Sequence, residues 1–180
     1  MTTTAGTATA PYEQLAAAIR GALTVPGDPG YDQARAVYNG MIDKHPALIA
    51  LCADVADVIA AVTFGREHNL LVSIRGGGHN AGGLGICDNG LVIDLSLIRY
   101  TQVDPEAGTI RVGGGCTWGD VDHATHAFGL AVPSGIISTT GVGGLTLGVT
   151  VGKGITSLAT APEPCMKVSL HTAPQCMVNC

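Results

Sequence analysis

The spacing of apolar residues predicts a strand–helix–strand unit in the first half of the chain. Residues 48–51 (LIAL) and 70–74 (LLVSI) are short apolar runs typical of buried strands. Between them, apolar side chains recur at helical spacing over 55–67, directly after Asp54, which is a favourable N-cap. Because two strands joined by a helix run in the same direction, this βαβ unit predicts a parallel pair.

Further elements follow from the same combination of apolar spacing and turn residues. They are a helix after Pro11 (Leu15, Ile19, Leu23), a strand at 91–95 (LVIDL), a hairpin over 99–112 that turns at 104–108, and a helix over 120–128 that ends at Gly129. Strands that alternate with helices and are followed by a hairpin indicate an α+β fold, with an α/β-like first part.

Composition places the chain among globular proteins and argues against a nucleic-acid partner. Of 180 residues, 46% are hydrophobic and 13% are charged, so a buried core is expected. The net charge of −5, with nine Lys and Arg, disfavours a basic binding face. No apolar run reaches the ~18 residues of a membrane helix. Because residues 1–10 lack the features of a signal peptide and the first three cysteines are scattered, a cytoplasmic protein is expected.

Two glycine-rich stretches are the strongest candidates for a binding site. RGGGHN, residues 75–80, follows an apolar strand, and SGIISTTGVGGLTLG, residues 134–148, follows Pro133. Glycines let backbone N–H groups approach an anion, and two such stretches suit a ligand with two phosphates. The alternative for RGGGHN is a tight loop with a solvent-facing histidine. Because a second glycine-rich stretch is present, ligand binding is favoured over a simple tight loop.

Other chemistries fit the sequence less well. GVGGLTLG lacks the spacing of the dinucleotide fingerprint, and GVTVGKG is one residue short of a P-loop. His123 and His126, near Asp120 and Asp122, could hold a metal but are more typical of a solvated helix face. Cys165, His171, Cys176 and Cys180 match no zinc spacing. We therefore predict no metal site, and no nucleophile arrangement identifies a catalytic residue.

Residues 36 to 148 resemble the FAD-binding half of berberine-bridge-enzyme-like flavin oxidases. The resemblance is carried by VSIRGGGHNAGGLGICDNGLVIDLSLIRY and VDPEAGTIRVGGGCTWGDVDHATHAFGLAVPSGIISTTGVGGLTLG, in the family's order and separation. These enzymes belong to the PCMH-type, or vanillyl-alcohol-oxidase, superfamily. The resemblance implies a PCMH-type FAD-binding fold, with an N-terminal βαβ subdomain followed by part of a second mixed α+β subdomain.

The resemblance also assigns roles to both glycine-rich stretches. In the family, the histidine of R-G-G-G-H bonds to the flavin 8α-methyl carbon, and here that residue is His79. A neutral imidazole is a competent nucleophile near pH 7. The FAD-binding residues implied are Arg75, Gly76, Gly77, Gly78, His79, Asn80, Ala81, Gly135, Ser138, Thr139, Thr140, Gly141, Val142, Gly143 and Gly144.

One covalent link to FAD is expected rather than two. Many relatives carry a cysteine, bonded to flavin C6, two residues before the Thr of the motif that reads T-T-G-V-G-G here. The matching residue is Ile137, and neither Cys87 nor Cys116 occupies that position. We therefore expect FAD to be held through His79 alone.

The resemblance stops near Gly148, and three segments are predicted. Residues 1–35 form an N-terminal segment with one helix, and 36–148 a partial FAD-binding domain. Residues 149–180 form a divergent tail that contains Cys and Pro, without periodicity. Relatives continue instead with more of the FAD domain, a substrate domain and the catalytic base. The expectation is a truncated or frame-shifted product with a disordered or out-of-frame tail.

The expected function is the FAD-binding part of an oxidoreductase. Such a protein transfers a hydride from a small alcohol, sugar or alkaloid-like substrate to FAD, with dioxygen as the final acceptor. A non-catalytic flavin-binding remnant is the main alternative, and a structural protein that binds a metal or partner through its tail is a third. The substrate and the oligomeric state do not follow from the sequence.

Overall fold

Two four-stranded sheets organise the part of the chain that the structure, a computed structural model, describes: residues 11–149, 167–171 and 176–177. The elements, in chain order, are α1 (Pro11–Ala18), β1 (Ala22–Thr24), α2 (Tyr31–Arg35), β2 (Leu48–Leu51), α3 (Val55–Glu67), β3 (Val72–Arg75), β4 (Leu91–Asp94), β5 (Thr101–Asp104), β6 (Thr109–Gly113), α4 (Trp118–His126), α5 (Val142–Val149), β7 (Lys167–His171) and β8 (Cys176–Met177). The mixture of parallel and antiparallel strands with helices confirms the α+β class.

The first sheet has the order β1-β2-β4-β3. Strands β2 and β3 are parallel, as the βαβ pattern predicts, but they are not neighbours, because β4 lies between them and pairs with both. All four residues of β4 are buried, which explains its continuous apolar run. Strand β1, from the N-terminal segment, adds to the outer edge of β2 in antiparallel orientation.

Successive residues of the central strands point to opposite faces of the first sheet. Leu91 and Ile93 pack against α1 and α3 in a first core, whereas Val92 packs against Tyr31 and Ile86 on the other face. Helix α3 begins where the sequence predicts, because Asp54 accepts hydrogen bonds from the backbone N–H groups of Ala56 and Asp57.

The second sheet, ordered β5-β6-β7-β8, begins with the predicted hairpin. Ile110 and Val112 of β6 pack with Trp118 and Val121 of α4 in a second core. Helix α4 starts two residues earlier than predicted, because Thr117 caps it and forms a reciprocal capping box with Asp120.

Part of the tail also joins the second sheet. Lys167–His171 pairs with β6 in parallel, and Cys176–Met177 pairs with β7. The sequence predicts no strand in this segment, because its apolar residues show no periodicity and the pairing partner lies more than 50 residues away. Of the helices in the described residues, none has both the length and the apolar character needed to span a bilayer.

A buried carboxylate fastens α3 to the strand before it and to the segment after α1. Asp57 is 1% exposed, and its oxygens accept hydrogen bonds from the backbone N–H groups of Arg20 (2.8 Å), Gly21 (2.9 Å) and Ala53 (2.8 Å). Burial by itself would raise the pKa of the Asp57 carboxyl, but these donors outweigh it and lower the pKa below its usual value. The ionised form is therefore the one that the fold stabilises.

We expect the Asp57→Asn substitution to lower the free energy of unfolding by roughly 2 kcal/mol or more. The NH₂ group of the asparagine amide would face backbone N–H groups, which need an acceptor and would lose it. Since the pKa is lowered in the folded state, the stabilisation is present above the ordinary value of 3.8 and is lost as the pH falls through the folded value. Urea unfolding at pH 7 and at pH 3 measures this dependence. Asp122→Asn, at an exposed position of α4, is the matched control; equal losses in the two variants would contradict the role of Asp57.

Candidate FAD-binding site

The first glycine-rich stretch leaves the carboxyl end of β3 and turns sharply. Arg75 is the last residue of β3, and Gly78 has a φ of 69°, a left-handed conformation that favours glycine. The carbonyl of Gly78 accepts a hydrogen bond from the backbone N–H of Tyr38 at 3.2 Å. The loop is thereby tied to the segment between α2 and β2.

Arg75 is part of a buried ion pair. Its side chain and that of Asp94 are each 8% exposed, the two residues are register partners on β3 and β4, and Arg75 Nε lies 3.0 Å from Asp94 Oδ2. The guanidinium also donates to the carbonyls of Ala34 and Ala36. These hydrogen bonds hold the guanidinium in place. Because the glycine loop begins directly after Arg75, they also fix the position where the loop starts.

The second glycine-rich stretch is a loop that leads into a helix. The sequence shows residues 134–148 only as a glycine-rich segment and predicts no helix there, whereas the structure places Val142–Val149 in α5. Glycine's low helix propensity hides this helix from the pattern. The loop is fixed to the start of α4, since Trp118 N donates to Thr140 O at 3.0 Å and Gly119 N donates to Ser138 O at 2.8 Å.

The two stretches touch backbone to backbone. A Cβ atom built on Gly77 would lie 2.4 Å from the backbone nitrogen of Gly141, and a Cβ on Gly141 would lie 2.4 Å from that of Gly77. Neither distance is tolerable, and backbone cannot rotate aside as a side chain can. Glycine at both positions is therefore what lets the loop after β3 meet the start of α5.

His79 sits at this junction and is held by three neighbours. Its Nε2 lies 2.9 Å from Thr139 Oγ1 and its Nδ1 lies 3.5 Å from Thr140 Oγ1. The ring of Tyr38 stacks on the imidazole with 3.9 Å between centroids and an interplanar angle of 19°. The imidazole, which belongs to the first glycine-rich stretch, is thus oriented by groups from the second stretch and from the segment before β2.

Two cavities border the junction, and both are lined by Arg75 to His79. The first, of about 350 Å³, is completed by Ala36, Val37, Tyr38 and Thr139. The second, of about 320 Å³, is completed by Ile74, Asn80, Ala81, Gly85, Thr140, Gly141, Gly144, Leu145 and Gly148. Backbone-rich walls that extend along both sides of one loop suit an elongated ligand that carries phosphates.

The structure brings together most of the predicted site residues. Arg75 to Ala81, Thr139, Thr140, Gly141 and Gly144 line one or both cavities. Gly135, Ser138, Val142 and Gly143 do not line these two cavities. Val142 is fully buried in the second core, and Gly143 lies against the carbonyl of Gly114.

Tyr38 is the main site residue that the sequence does not reveal. It lies in a segment without periodicity or motif, and the residue is 67% exposed. It reaches His79 because Arg75 binds the carbonyls of Ala34 and Ala36 and so draws this segment across the loop. No local pattern could have indicated that long-range contact.

The cysteines and histidines outside the site have other surroundings. Cys87 and Cys116 are 4% and 1% exposed and lie in separate cores. Burial raises the pKa of the Cys116 thiol. Asp120 binds Thr117 and Arg99, and the described residues contain no cluster of three or more potential metal ligands. The side chains of Cys165, His171, Cys176 and Cys180 lie outside the described residues.

Comparison with known proteins defines the class to which this fold and site belong. Residues 46–173 match the family model of the FAD-binding domain. The chain belongs to this family, and it carries an FAD-binding domain of the kind found in FAD-linked oxidoreductases. The family match extends beyond Gly148 into the segment 149–180.

Relatives in sequence include an oxidase and proteins named as FAD-linked oxidoreductases. The chain is 32% identical to (R)-6-hydroxynicotine oxidase of Paenarthrobacter nicotinovorans over 162 residues, covering 90% of the chain and 35% of that protein. It is 44% identical over 107 residues to an FAD-linked oxidoreductase of Dictyostelium discoideum, covering 59% of the chain and 23% of the relative. The chain therefore spans about a third or less of the length of these curated relatives.

Solved structures support the same fold. The BBE-like 1 protein of Physcomitrella patens superposes with a TM-score of 0.72 at 28% identity, over 77% of this chain and 30% of that one. The grass pollen allergen Phl p 4, which has glucose dehydrogenase activity, gives a TM-score of 0.68 at 28% identity, over 74% and 30% of the two chains. The PCMH-type fold and the berberine-bridge-enzyme-like resemblance are thus confirmed.

Proposed function

We propose that this chain holds FAD through a single covalent bond to His79 and forms part of a flavin-dependent oxidase. FAD, when bound, accepts a hydride from a small-molecule substrate and passes the electrons to dioxygen. The observation that carries the proposal is the position of His79 at the contact between the two glycine-rich stretches, beside both cavities. The proposal includes the cytoplasmic location expected from the sequence.

The residues present fit such a cofactor. The close approach of Gly77 and Gly141 leaves backbone, rather than side chains, along the walls of the cavities. Among the described residues, no atom lies within 4 Å of a Cβ added at Gly144 or Gly148, which leaves space beside these two glycines of α5. In the proposed role these glycines admit the phosphates and ring system, and Tyr38 and the two threonines hold the imidazole toward the cofactor.

Relatives favour a small-molecule substrate without fixing the electron acceptor. One is called a hydroxynicotine oxidase, and Phl p 4 is described as a glucose dehydrogenase. Hydrogen peroxide release by the flavin-loaded chain, tested with alcohols, sugars and amines, separates an oxidase from a flavin-binding remnant that turns over nothing.

We expect His79→Ala to abolish acid-stable flavin, because alanine has no nucleophile for the 8α carbon. Protein expressed with FAD would be precipitated with acid, and its flavin fluorescence and intact mass measured. His123→Ala, at an exposed position of α4, is the matched control and should keep the adduct. Acid-stable flavin in the His79→Ala protein, or none in the unaltered chain, would refute the covalent link.

A further inference from the structure

The indole N–H of Trp118 is buried without an acceptor. The residue is 3% exposed, and among the described residues no hydrogen-bond partner lies within reach of its Nε1. A buried indole N–H usually has a partner, because a hydrogen bond left unmade away from water costs free energy. A rearrangement that brings an acceptor to this nitrogen is therefore favourable.

The edge of the indole that carries Nε1 faces the start of the second glycine-rich stretch. A Cβ atom built on Gly135 would lie 3.9 Å from Trp118 Cδ1 and 4.0 Å from Nε1. The same Cβ would lie 3.0 Å from Leu145 Cδ2, and Leu145 lines the second cavity. The backbone of Gly135 is thus adjacent both to the unpaired donor and to a side chain of the cavity wall.

The segment 134–137 is fixed at its two ends and loosely held between them. Before it, Val132 is buried in the second core, and after it, the carbonyl of Ser138 accepts a backbone hydrogen bond of 2.8 Å. Inside the segment, the carbonyl of Gly135 accepts from Ser134 Oγ at 3.3 Å, which is long for an O–H donor. The carbonyl of Gly135 can therefore be released to a better donor at small cost.

We propose that Ile136 covers bound FAD when segment 134–137 moves inward. In that position the carbonyl of Gly135 accepts a hydrogen bond from Trp118 Nε1–H, which holds the segment in place. The segment leads directly toward Thr139, which lines the first cavity. The inference rests on the proposed function, and it adds Ile136 as a residue that contacts the cofactor and Trp118 as a positioning residue.

Cofactor binding and the inward movement favour each other. Ile136 is 99% exposed, so it gains nothing from moving unless an apolar surface lies beneath it. The flavin ring supplies that surface, and one movement then pairs the buried donor and removes Ile136 from water. A ligand shifts a conformational equilibrium by its difference in affinity for the two states, and Ile136 provides that difference here.

The first test follows the indole N–H of the protein's single tryptophan by NMR of the full chain. We expect FAD to slow exchange of this N–H with solvent about fivefold relative to the backbone N–H of Val112 in the same core, the scale of one buried hydrogen bond. In Ile136→Ser, FAD should leave this ratio unchanged, because the segment is no longer held over the ring. Equal ratios with and without FAD in the unaltered chain would overturn the inference, as would equal slowing in Ile136→Ser.

The second test measures unfolding in urea with and without FAD. Ile136→Ser should unfold like the unaltered chain without FAD, since the side chain is exposed, but with FAD its unfolding equilibrium constant should be about tenfold larger, the scale of burying part of an isoleucine. Ile136→Leu should restore the unaltered value. Ile59→Ser, at a position of α3 that is 60% exposed, is the matched control and should show no dependence on FAD.

The outcomes separate this inference from the proposed function. If the unaltered chain takes up FAD and Ile136→Ser matches it in both tests, the inward movement is wrong and FAD binding stands. If the unaltered chain takes up no FAD, the proposed function itself is overturned, and the role of Ile136 with it.

Discussion

Gly77→Ala is expected to separate the two glycine-rich stretches and to remove the flavin site. The new methyl group would lie 2.4 Å from the nitrogen of Gly141 and 3.0 Å from the carbonyl oxygen of Thr139. Both neighbours are backbone atoms, so relief requires the loop after β3 to move away from α5. Overpacking of this kind costs about 1–3 kcal/mol. Urea unfolding and the content of acid-stable flavin measure the two consequences.

Gly40→Ala is the matched control for this substitution. An added Cβ at Gly40 meets no atom of the described residues within 4 Å, so the variant should unfold and bind flavin like the unaltered chain. Gly141→Ala should reproduce the effect of Gly77→Ala, because the contact is reciprocal. Normal flavin content and an unchanged unfolding midpoint in Gly77→Ala would show that the two backbones do not approach as described.

Asp94→Ala is expected to destabilise the chain by about 3–5 kcal/mol, the usual consequence of leaving one partner of a buried ion pair without the other. Arg75 would keep its contacts with the carbonyls of Ala34 and Ala36 but would lose its counter-charge. The backbone N–H of Ser96 would also lose its acceptor, Asp94 Oδ1, at 2.8 Å. Equilibrium unfolding in urea measures the loss.

Asp32→Ala provides the comparison for Asp94→Ala. Asp32 also pairs with an arginine, Arg35, at 2.8 Å, but the Asp32 side chain is 85% exposed. Solvent screens such a pair, so its removal should have a far smaller effect. If the two variants lose similar free energy of unfolding, burial does not account for the contribution of the Arg75–Asp94 pair to stability.

The elements that the sequence predicts well are those whose stability is local or whose apolar pattern is simple. Asp54 and the apolar face after it define α3, and the run LVID marks β4 as a buried strand. Both glycine-rich stretches are visible because their composition is unusual. The resemblance adds the role proposed for His79, which no periodicity or spacing provides.

The features that the sequence does not predict depend on long-range pairing. Strand β4 inserts between β2 and β3, which a βαβ pattern alone does not reveal. Helix α5 contains three glycines, so its helical state owes more to packing of Val142 in the second core than to propensity. Tyr38 belongs to no motif and reaches His79 only through tertiary contacts between segments that are distant in sequence.

The contact between Gly77 and Gly141 also joins two separately packed halves of the molecule. One side belongs to the sheet with β3 and β4, and the other to the core built on α4 and β6. A ligand that touches both loops binds only when the halves are together, so its binding free energy adds to their cohesion. If the ligand is bonded to His79, dilution cannot remove that contribution. The cofactor would then stay at the junction permanently, bonded to one half and in noncovalent contact with the other, and loss of the bond would make stability depend on free FAD concentration.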